Sequence, residues 1–181
     1  MLKLNRNKKK IPFDIEGKLI YQKKYGSCWS GDSIKLMKSI PSSSIDLIFT
    51  SPPYALLTKK SYGNVSQSEY VDWFRPFANE FHRILKDSGS FVLNIGSSWI
   101  KGQPTKSIYQ YELLVDLCRR KDMPEKSFYL AQEFFWHNPA KLPLPVEWVN
   151  RRRVRVKETI ENIFWFSKTP NPKSDNNKTL I

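Results

Sequence analysis

The stretch Ile45-Asp46-Leu47-Ile48-Phe49-Thr50-Ser51-Pro52-Pro53-Tyr54 decides the fold, because it joins an apolar run to a rigid turn. Such a run, broken by a polar residue and two prolines, predicts a buried strand that ends at the carboxyl edge of a sheet. Open α/β sheets bind their ligands at that edge. The prolines fix φ and remove two N–H donors, so the rigid turn sets the direction of its carbonyl groups. An aromatic residue, Tyr54, follows at once. We therefore take the turn as a candidate site, although Pro-Pro also closes ordinary strands.

Strand and helix patterns alternate along the rest of the chain. Helices are predicted where apolar residues recur at helical spacing, and strands where short apolar runs lie between turn residues. The predicted helices are 34–39, 69–85 and 109–120, and the predicted strands are 27–30, 45–49, 91–95, 129–136 and 159–167. This alternation predicts an α/β fold, with a doubly wound, mainly parallel sheet covered on both faces.

Composition limits the class of protein and its partners. The chain has 181 residues, 40% of them hydrophobic and 14% aromatic, which is enough for one domain with a real core. Thirty Lys and Arg against seventeen Asp and Glu give a formal charge of +13, which predicts a polyanionic partner such as double-stranded DNA. No stretch approaches the roughly 20 apolar residues of a membrane span. Without a signal peptide or metal-type cysteine spacing, we expect a cytoplasmic protein with Cys28 and Cys118 reduced.

Changes in composition along the chain predict three segments. Residues 1–17 form a basic arm, either a solubilising terminus or a DNA contact. Residues 18–168 form the folded domain, and residues 169–181 a polar tail or linker that begins near two prolines.

The strand and turn at residues 45–54 resemble the catalytic motif of DNA amino-methyltransferases. Other segments resemble the permuted, β-group N4-cytosine enzymes of restriction-modification systems, of the PvuII type: Gly31-Asp32-Ser33, Glu69-Tyr70-Val71-Asp72-Trp73-Phe74, Gly89-Ser90-Phe91-Val92-Leu93-Asn94-Ile95-Gly96, Asn138-Pro139-Ala140-Lys141-Leu142-Pro143 and Glu147-Trp148-Val149-Asn150. The resemblance covers about residues 25–173. It implies the methyltransferase sheet, with its last strands antiparallel, and S-adenosylmethionine as cofactor.

The resemblance also implies roles for the residues of the turn and the next strand. A conjugated amine is a poor nucleophile, and hydrogen-bond acceptors aimed at it favour the transition state. By resemblance the acceptors are the Ser51 hydroxyl and the Pro52 carbonyl, in a turn completed by Pro53, while Tyr54 stacks on a flipped base. Related enzymes carry aspartate where this chain has Asn94, which accepts hydrogen bonds but has no charge. Asn94 alternatively ties down the turn after its strand.

The cofactor site is predicted to be incomplete. Asp32, followed by Ser33, stands where the family faces the adenine amine of the cofactor, although a helix N-cap is an equal alternative. None of the seven glycines has the G-x-G spacing of a cofactor loop. The resemblance therefore implies a catalytic half, which needs a second subunit or a missing C-terminal half that carries the glycine-rich loop and the target-recognition region.

Two basic segments are predicted to contact nucleic acid, with solvated surface as the alternative for both. The first follows the catalytic turn, and the second is an edge strand or loop. Their candidate residues are Lys59, Lys60, Tyr62, Arg151, Arg152, Arg153, Arg155 and Lys157.

The prediction is a site-specific cytosine-N4 DNA methyltransferase that acts on a flipped base. Adenine N6 is an alternative target, because serine at the first position of the motif correlates only loosely with cytosine. A non-catalytic DNA-binding remnant is the second alternative. The intact Ser51–Tyr54 turn favours an enzyme, whereas Asn94 and the missing loop favour the remnant.

Overall fold

A computed structural model describes residues 15–57, 61 and 63–178. Its strands are β1 Lys18–Lys23, β2 Gly26–Ser30, β3 Ile45–Thr50, β4 Leu85–Ile95, β5 Tyr129–His137 and β6 Ile160–Ser167. Its helices are α1 Ser33–Lys38, α2 Tyr70–Ile84 and α3 Tyr109–Cys118, and single helical turns lie at Pro124–Lys126, Glu147–Arg151 and Asn176–Lys178. None of the helices in these ranges is long and apolar enough to cross a membrane.

The main sheet has the strand order β3-β4-β6-β5 and is mixed. Strands β3 and β4 are parallel, whereas β6 runs antiparallel to both β4 and β5. The predicted α/β class and the antiparallel last strands are confirmed. The sheet is mixed instead of mainly parallel because β6 runs antiparallel to both of its neighbours, and the strand predicted at 27–30 lies outside the sheet. That strand, β2, pairs with β1 in a separate antiparallel hairpin, and β1 was not predicted.

Aromatic periodicity explains α2 and its position. Tyr70, Phe74, Ala78 and Phe81 recur four or three residues apart and are buried on one side of the helix. The ring centroid of Phe81 lies 5.1 Å from that of Phe91 in β4. The helix therefore packs directly on the sheet, as its aromatic spacing predicts.

The helices cover one face of the main sheet. On that face Phe91, Leu93, Phe164 and Phe166 are all 0% exposed. On the opposite face Leu47, Phe49, Phe134 and Trp136 are between 43% and 63% exposed, and we call these four residues the open face. The expected cover on both faces is thus present on only one in the described part of the chain. Strand β3 also lies at an edge of the sheet, without a second neighbour in that part.

Candidate active site

The Ser51–Tyr54 turn follows the carboxyl end of β3, as predicted. The buried hydroxyl of Tyr70 on α2 donates to the Pro53 carbonyl at 2.9 Å and anchors the turn. The ring of Tyr54 packs on Gly96, where an added Cβ would lie 2.5 Å from a ring carbon. A side chain at position 96 would therefore displace the ring. The Tyr109 hydroxyl, from α3, donates to the Gly96 carbonyl.

The Tyr54 hydroxyl is the centre of a hydrogen-bond network. It lies 3.1 Å from the Ser51 hydroxyl, 3.2 Å from Asn94 Oδ1 and 3.0 Å from Glu161 Oε2. These residues come from the turn, from β4 and from β6. The structure therefore brings the predicted residues Ser51, Tyr54 and Asn94 together and adds a carboxylate.

The environment of Tyr54 keeps its hydroxyl protonated. Burial has the largest effect and raises the pKa, the hydrogen bond with Ser51 lowers it, and the negative charge of Glu161 raises it. Together they raise the pKa of Tyr54 to about 12. Tyr54 is therefore a hydrogen-bond donor at neutral pH.

Sequence reasoning gave no role to Glu161 or to its partner Lys141. Lys141 Nζ lies 3.0 Å from Glu161 Oε1, and the side chain of Glu161 is only 10% exposed. An acidic residue is expensive to bury unless it is paired. A glutamate inside the apolar strand Ile160–Ser167 was the available signal, because ionisable residues are uncommon in such strands.

Several cavities border the turn, including one of about 590 Å³ beside Pro53 and residues 63–69. Another, of about 400 Å³, is lined by Ser51, Pro52, Pro53 and Tyr54. The helix-side cavity, of about 490 Å³, is lined by Ser33, Met37, Ile48, Phe49, Thr50, Ser51, Pro52, Pro53, Trp73, Phe74, Phe77 and Phe81. The loop-side cavity, of about 560 Å³, is lined by Tyr54, Leu56, Leu57, Gly96, Ser97, Ser98, Trp99, Lys141, Leu142, Leu144, Pro145, Val146, Glu158 and Glu161. Two ligands could thus approach the turn from different sides.

The two residues predicted to bind the cofactor lie at the start of α1. Asp32 is its N-cap, and Asp32 Oδ1 accepts a hydrogen bond from the Lys35 N–H at 3.0 Å. The alternative role as a helix cap is therefore present, and it is compatible with a ligand on the second carboxylate oxygen. Ser33 lines the helix-side cavity.

The second basic segment lies beside the loop-side cavity and is a loop, not an edge strand. The Arg155 guanidinium lies 4.9 Å from the ring centroid of Trp99, which lines that cavity. Arg152 lies over Trp148 at 5.0 Å, and the Lys157 ammonium donates to the Pro139 carbonyl at 2.7 Å.

Other cations of the two basic segments differ in their partners and in whether they are described. Arg151 and Arg152 share the carboxylate of Glu147, at 3.5 and 2.9 Å respectively. Arg153 is exposed, with a φ of 54°. Lys59, Lys60 and Tyr62 of the first basic segment lie outside the described residues.

Comparison with known proteins identifies related enzymes. The N6/N4 methyltransferase family model, described as DNA methylase, matches residues 45–181. The type II methyltransferase M.PvuII of Proteus hauseri is 48% identical over 160 residues, which are 88% of this chain and 46% of that protein. The type II methyltransferase M.ScaI of Streptomyces caespitosus is 33% identical over 121 residues, which are 67% of this chain and 36% of that protein. The chain thus spans less than half the length of these relatives.

Solved structures agree on the fold. The cytosine-N4-specific PvuII DNA methyltransferase matches with a TM-score of 0.80 and 47% identity, over 92% of this chain and 57% of that chain. A DNA modification methylase of Thermus thermophilus, solved with S-adenosyl-L-methionine, matches with a TM-score of 0.57 at 20% identity, over 83% of this chain and 58% of that chain, and shows the fold alone. Because the family model matches most of its residues, the chain belongs to the DNA methylase family of N6 and N4 methyltransferases.

Proposed function

We propose that this chain is the catalytic half of a site-specific DNA methyltransferase of a restriction-modification system. It acts on the N4 amine of a cytosine flipped out of double-stranded DNA. The observation that carries the proposal is the Ser51–Tyr54 turn, which cavities border on different sides, in a chain 48% identical to a type II methyltransferase over 160 residues. Methyl transfer needs a donor and an acceptor that meet at one point, and the turn offers that point.

Ser51 and Pro52 are the proposed acceptors for the substrate amine. The Pro53 carbonyl is already bonded to Tyr70, whereas the Pro52 carbonyl has no donor among the described residues. A hydroxyl oxygen and a free carbonyl oxygen at the strand end suit an amine that must become tetrahedral as positive charge develops on it. Such preorganised acceptors act most strongly in the transition state.

The loop-side cavity is the proposed pocket for the flipped base. The Tyr54 ring supplies a stacking surface, and the indole of Trp99 lies farther along the same cavity. Arg155, stacked on Trp99, would place a cation where the sugar-phosphate backbone of the flipped nucleotide enters. Lys59, Lys60, Tyr62, Arg151, Arg152, Arg153 and Lys157 are proposed as further DNA contacts, in keeping with the formal charge of +13.

The helix-side cavity is proposed to hold the adenosine end of S-adenosylmethionine. Its aromatic walls, which include Trp73 and Phe77, fit a flat heterocycle, and Ser33 adds a polar group to the lining, next in the chain to Asp32. When bound, the cofactor supplies an electrophilic methyl group. The sequence has no glycine loop of G-x-G type for the methionine end, so this part of the site must come from another segment.

A second polypeptide segment is proposed to complete the enzyme, either as a separate subunit or as a C-terminal continuation. The open face is apolar, and the adjoining strand β3 has a free edge in the described part of the chain. A free strand edge beside exposed apolar side chains favours the addition of further strands. The helix-side cavity includes Phe49 of β3, so a segment placed there would also reach the cofactor.

Reconstitution tests the proposal. The chain would be co-expressed with the C-terminal half of M.PvuII, and transfer of tritiated methyl groups to duplex DNA would be measured, with identification of the methylated base. We expect N4-methylcytosine. Ser51→Ala should lower the single-turnover rate about 10²- to 10³-fold, as loss of one preorganised hydrogen bond does. Ser88→Ala, on an exposed part of β4, is the matched control and should leave the rate unchanged.

Other outcomes separate the alternatives. If the product is N6-methyladenine, the substrate base is adenine instead of cytosine, and the proposed active site stands. DNA binding by a stable complex without methyl transfer would favour a non-catalytic remnant, for which the neutral Asn94 is the specific observation.

A further inference from the structure

Glu161 is the acidic residue that contacts the catalytic turn in the described part of the chain. Its Oε2 lies 3.0 Å from the Tyr54 hydroxyl, which in turn lies 3.1 Å from the Ser51 hydroxyl. Lys141 holds the other carboxylate oxygen at 3.0 Å. The ion pair therefore orients the carboxylate and leaves Oε2 for Tyr54.

The order of protons along these groups follows from their chemistry. The Tyr54 hydroxyl has one proton and two neighbouring acceptors, Asn94 Oδ1 at 3.2 Å and Glu161 Oε2 at 3.0 Å. The carboxylate is nearer and charged, so it takes the stronger hydrogen bond. Ser51 can then donate its own proton to the Tyr54 oxygen, and its oxygen, which belongs to a residue that lines the cavity, keeps lone pairs for the substrate amine. The row Ser51, Tyr54, Glu161 is thus polarised in one direction.

We propose that Glu161 is the terminal proton acceptor of the methyl-transfer site, reached from the substrate amine through Ser51 and Tyr54. It is a positioning residue in the sense that it acts on the substrate amine through these two hydroxyls. Glu161 thereby supplies the negative charge that Asn94 lacks. This inference rests on the proposed function.

The step balances in atoms and charge. A bond forms between the amine nitrogen and the methyl carbon of S-adenosylmethionine, and the bond between that carbon and sulfur breaks, so the sulfonium becomes a neutral thioether. The nitrogen loses one proton to Ser51 Oγ while Ser51 passes its own to Tyr54 and Tyr54 passes its own to the Glu161 carboxylate. The positive charge of the sulfonium and the negative charge of the carboxylate both disappear. Glu161 later releases its proton to solvent.

Asn94 supports this assignment by its position. Its side chain reaches the same Tyr54 hydroxyl from β4. A carboxylate at position 94 would therefore contact the same proton from the other side. A carboxylate at either position 94 or position 161 would therefore place one negative charge beside the Tyr54 hydroxyl.

The first test measures the pKa of the Tyr54 hydroxyl and does not depend on methyl transfer. Tyrosine labelled with ¹³C at Cζ would be titrated by NMR in the 181-residue chain, with Tyr54→Phe to assign the resonance. Glu161→Gln keeps the shape and removes the charge, so the pKa of Tyr54 should fall below the value of about 12. Glu158→Gln is the matched control, since Glu158 lines the same cavity but bonds to Ser97 and Lys106. An unchanged pKa in Glu161→Gln would overturn the proposal.

The second test measures methyl transfer in the reconstituted complex. Glu161→Gln and Tyr54→Phe should each lower the single-turnover rate about 10²-fold, with little change in DNA affinity. The double variant should be no slower than either single variant, because both break one path. Asn94→Asp in the Glu161→Gln background should restore most of the lost rate, which a purely structural role would not allow.

The outcomes distinguish this proposal from the proposed function. A complex that methylates DNA at the wild-type rate with Glu161→Gln would contradict proton transfer to Glu161. It would leave the proposed methyltransferase function intact. Failure of Asn94→Asp to restore the rate in the Glu161→Gln background would also count against proton transfer to Glu161. A wild-type complex without methyl transfer would contradict the proposed function, and the Tyr54 titration would still decide the hydrogen bond to Glu161.

Discussion

The two faces of the main sheet come from the same strands but have opposite environments. Phe91 and Phe164 on the helix-covered face are 0% exposed, whereas Phe49 and Trp136 on the open face are 63% and 46% exposed. Alternation along a strand places side chains on both faces, but it does not determine what covers them. The contrast teaches that half of this sheet is stabilised within the chain. The side chains of the other half remain exposed in the described residues.

The strongest test of the contrast is the deletion of one ring from each face. Phe164→Ala should lower the free energy of unfolding by about 3–5 kcal/mol, because it leaves a cavity in the core. Phe49→Ala should change it by less than about 1 kcal/mol, because the ring is mostly solvated. Urea unfolding followed by circular dichroism measures both. Equal losses would mean that the open face is buried in solution.

A charge on the open face should affect assembly more than folding. Phe49→Lys should weaken binding of the second polypeptide segment at least about tenfold, since a buried unpaired charge is costly at an interface. Val115→Lys is the control, because Val115 on α3 is also apolar and 57% exposed but lies on the helical side. Titration of the chain with the complementing half measures the affinity. Equal weakening by both variants would place the interface elsewhere.

The N-cap of α1, on the helix-covered side of the sheet, should make a smaller contribution to the free energy of unfolding. Asp32→Ala removes the hydrogen bond to the Lys35 N–H and should cost about 1 kcal/mol. Asp32→Asn keeps a cap and should cost only a few tenths of that. The same pair separates the cap from the predicted cofactor contact, because Asn has one acceptor oxygen, which the cap uses, and its amide NH2 cannot accept a hydrogen bond from the adenine amine. Thermal unfolding with and without S-adenosylmethionine, in the reconstituted complex, compares them.

The smallest expected effect is a pH dependence confined to the covered side. Burial, followed by the charges of Lys168 and Lys126, lowers the pKa of His82, whose ring lies 5.3 Å from that of Phe128. The folded state therefore disfavours the protonated ring. This contribution to stability is full above the unfolded pKa of about 6.5 and falls as the pH drops below it. Urea midpoints from pH 7.5 to 5.5 should decline less in His82→Gln. Identical slopes would contradict this assignment.

Local patterns were reliable where one short segment determines its own structure. The aromatic spacing of α2 and the apolar runs of β3 and β6 place their elements within two residues of the predicted ends. The start of β4 differs more, at Leu85 instead of residue 91, because its first residues follow α2 directly and have little apolar character. Strand β1 was missed because its apolar run, Leu19-Ile20-Tyr21, is only three residues long and lies exposed instead of facing a core.

The sequence by itself determined the α/β class, the elements and the Ser51–Tyr54 turn, because periodicity and proline geometry are local properties of the chain. Tertiary structure alone decided that Glu161 faces Tyr54, 107 residues apart, since the pairing of β3 with β4 and of β4 with β6 brings the two together. It also decided which face of the sheet the helices cover. Both depend on contacts between distant segments, and no local pattern records which segments will meet.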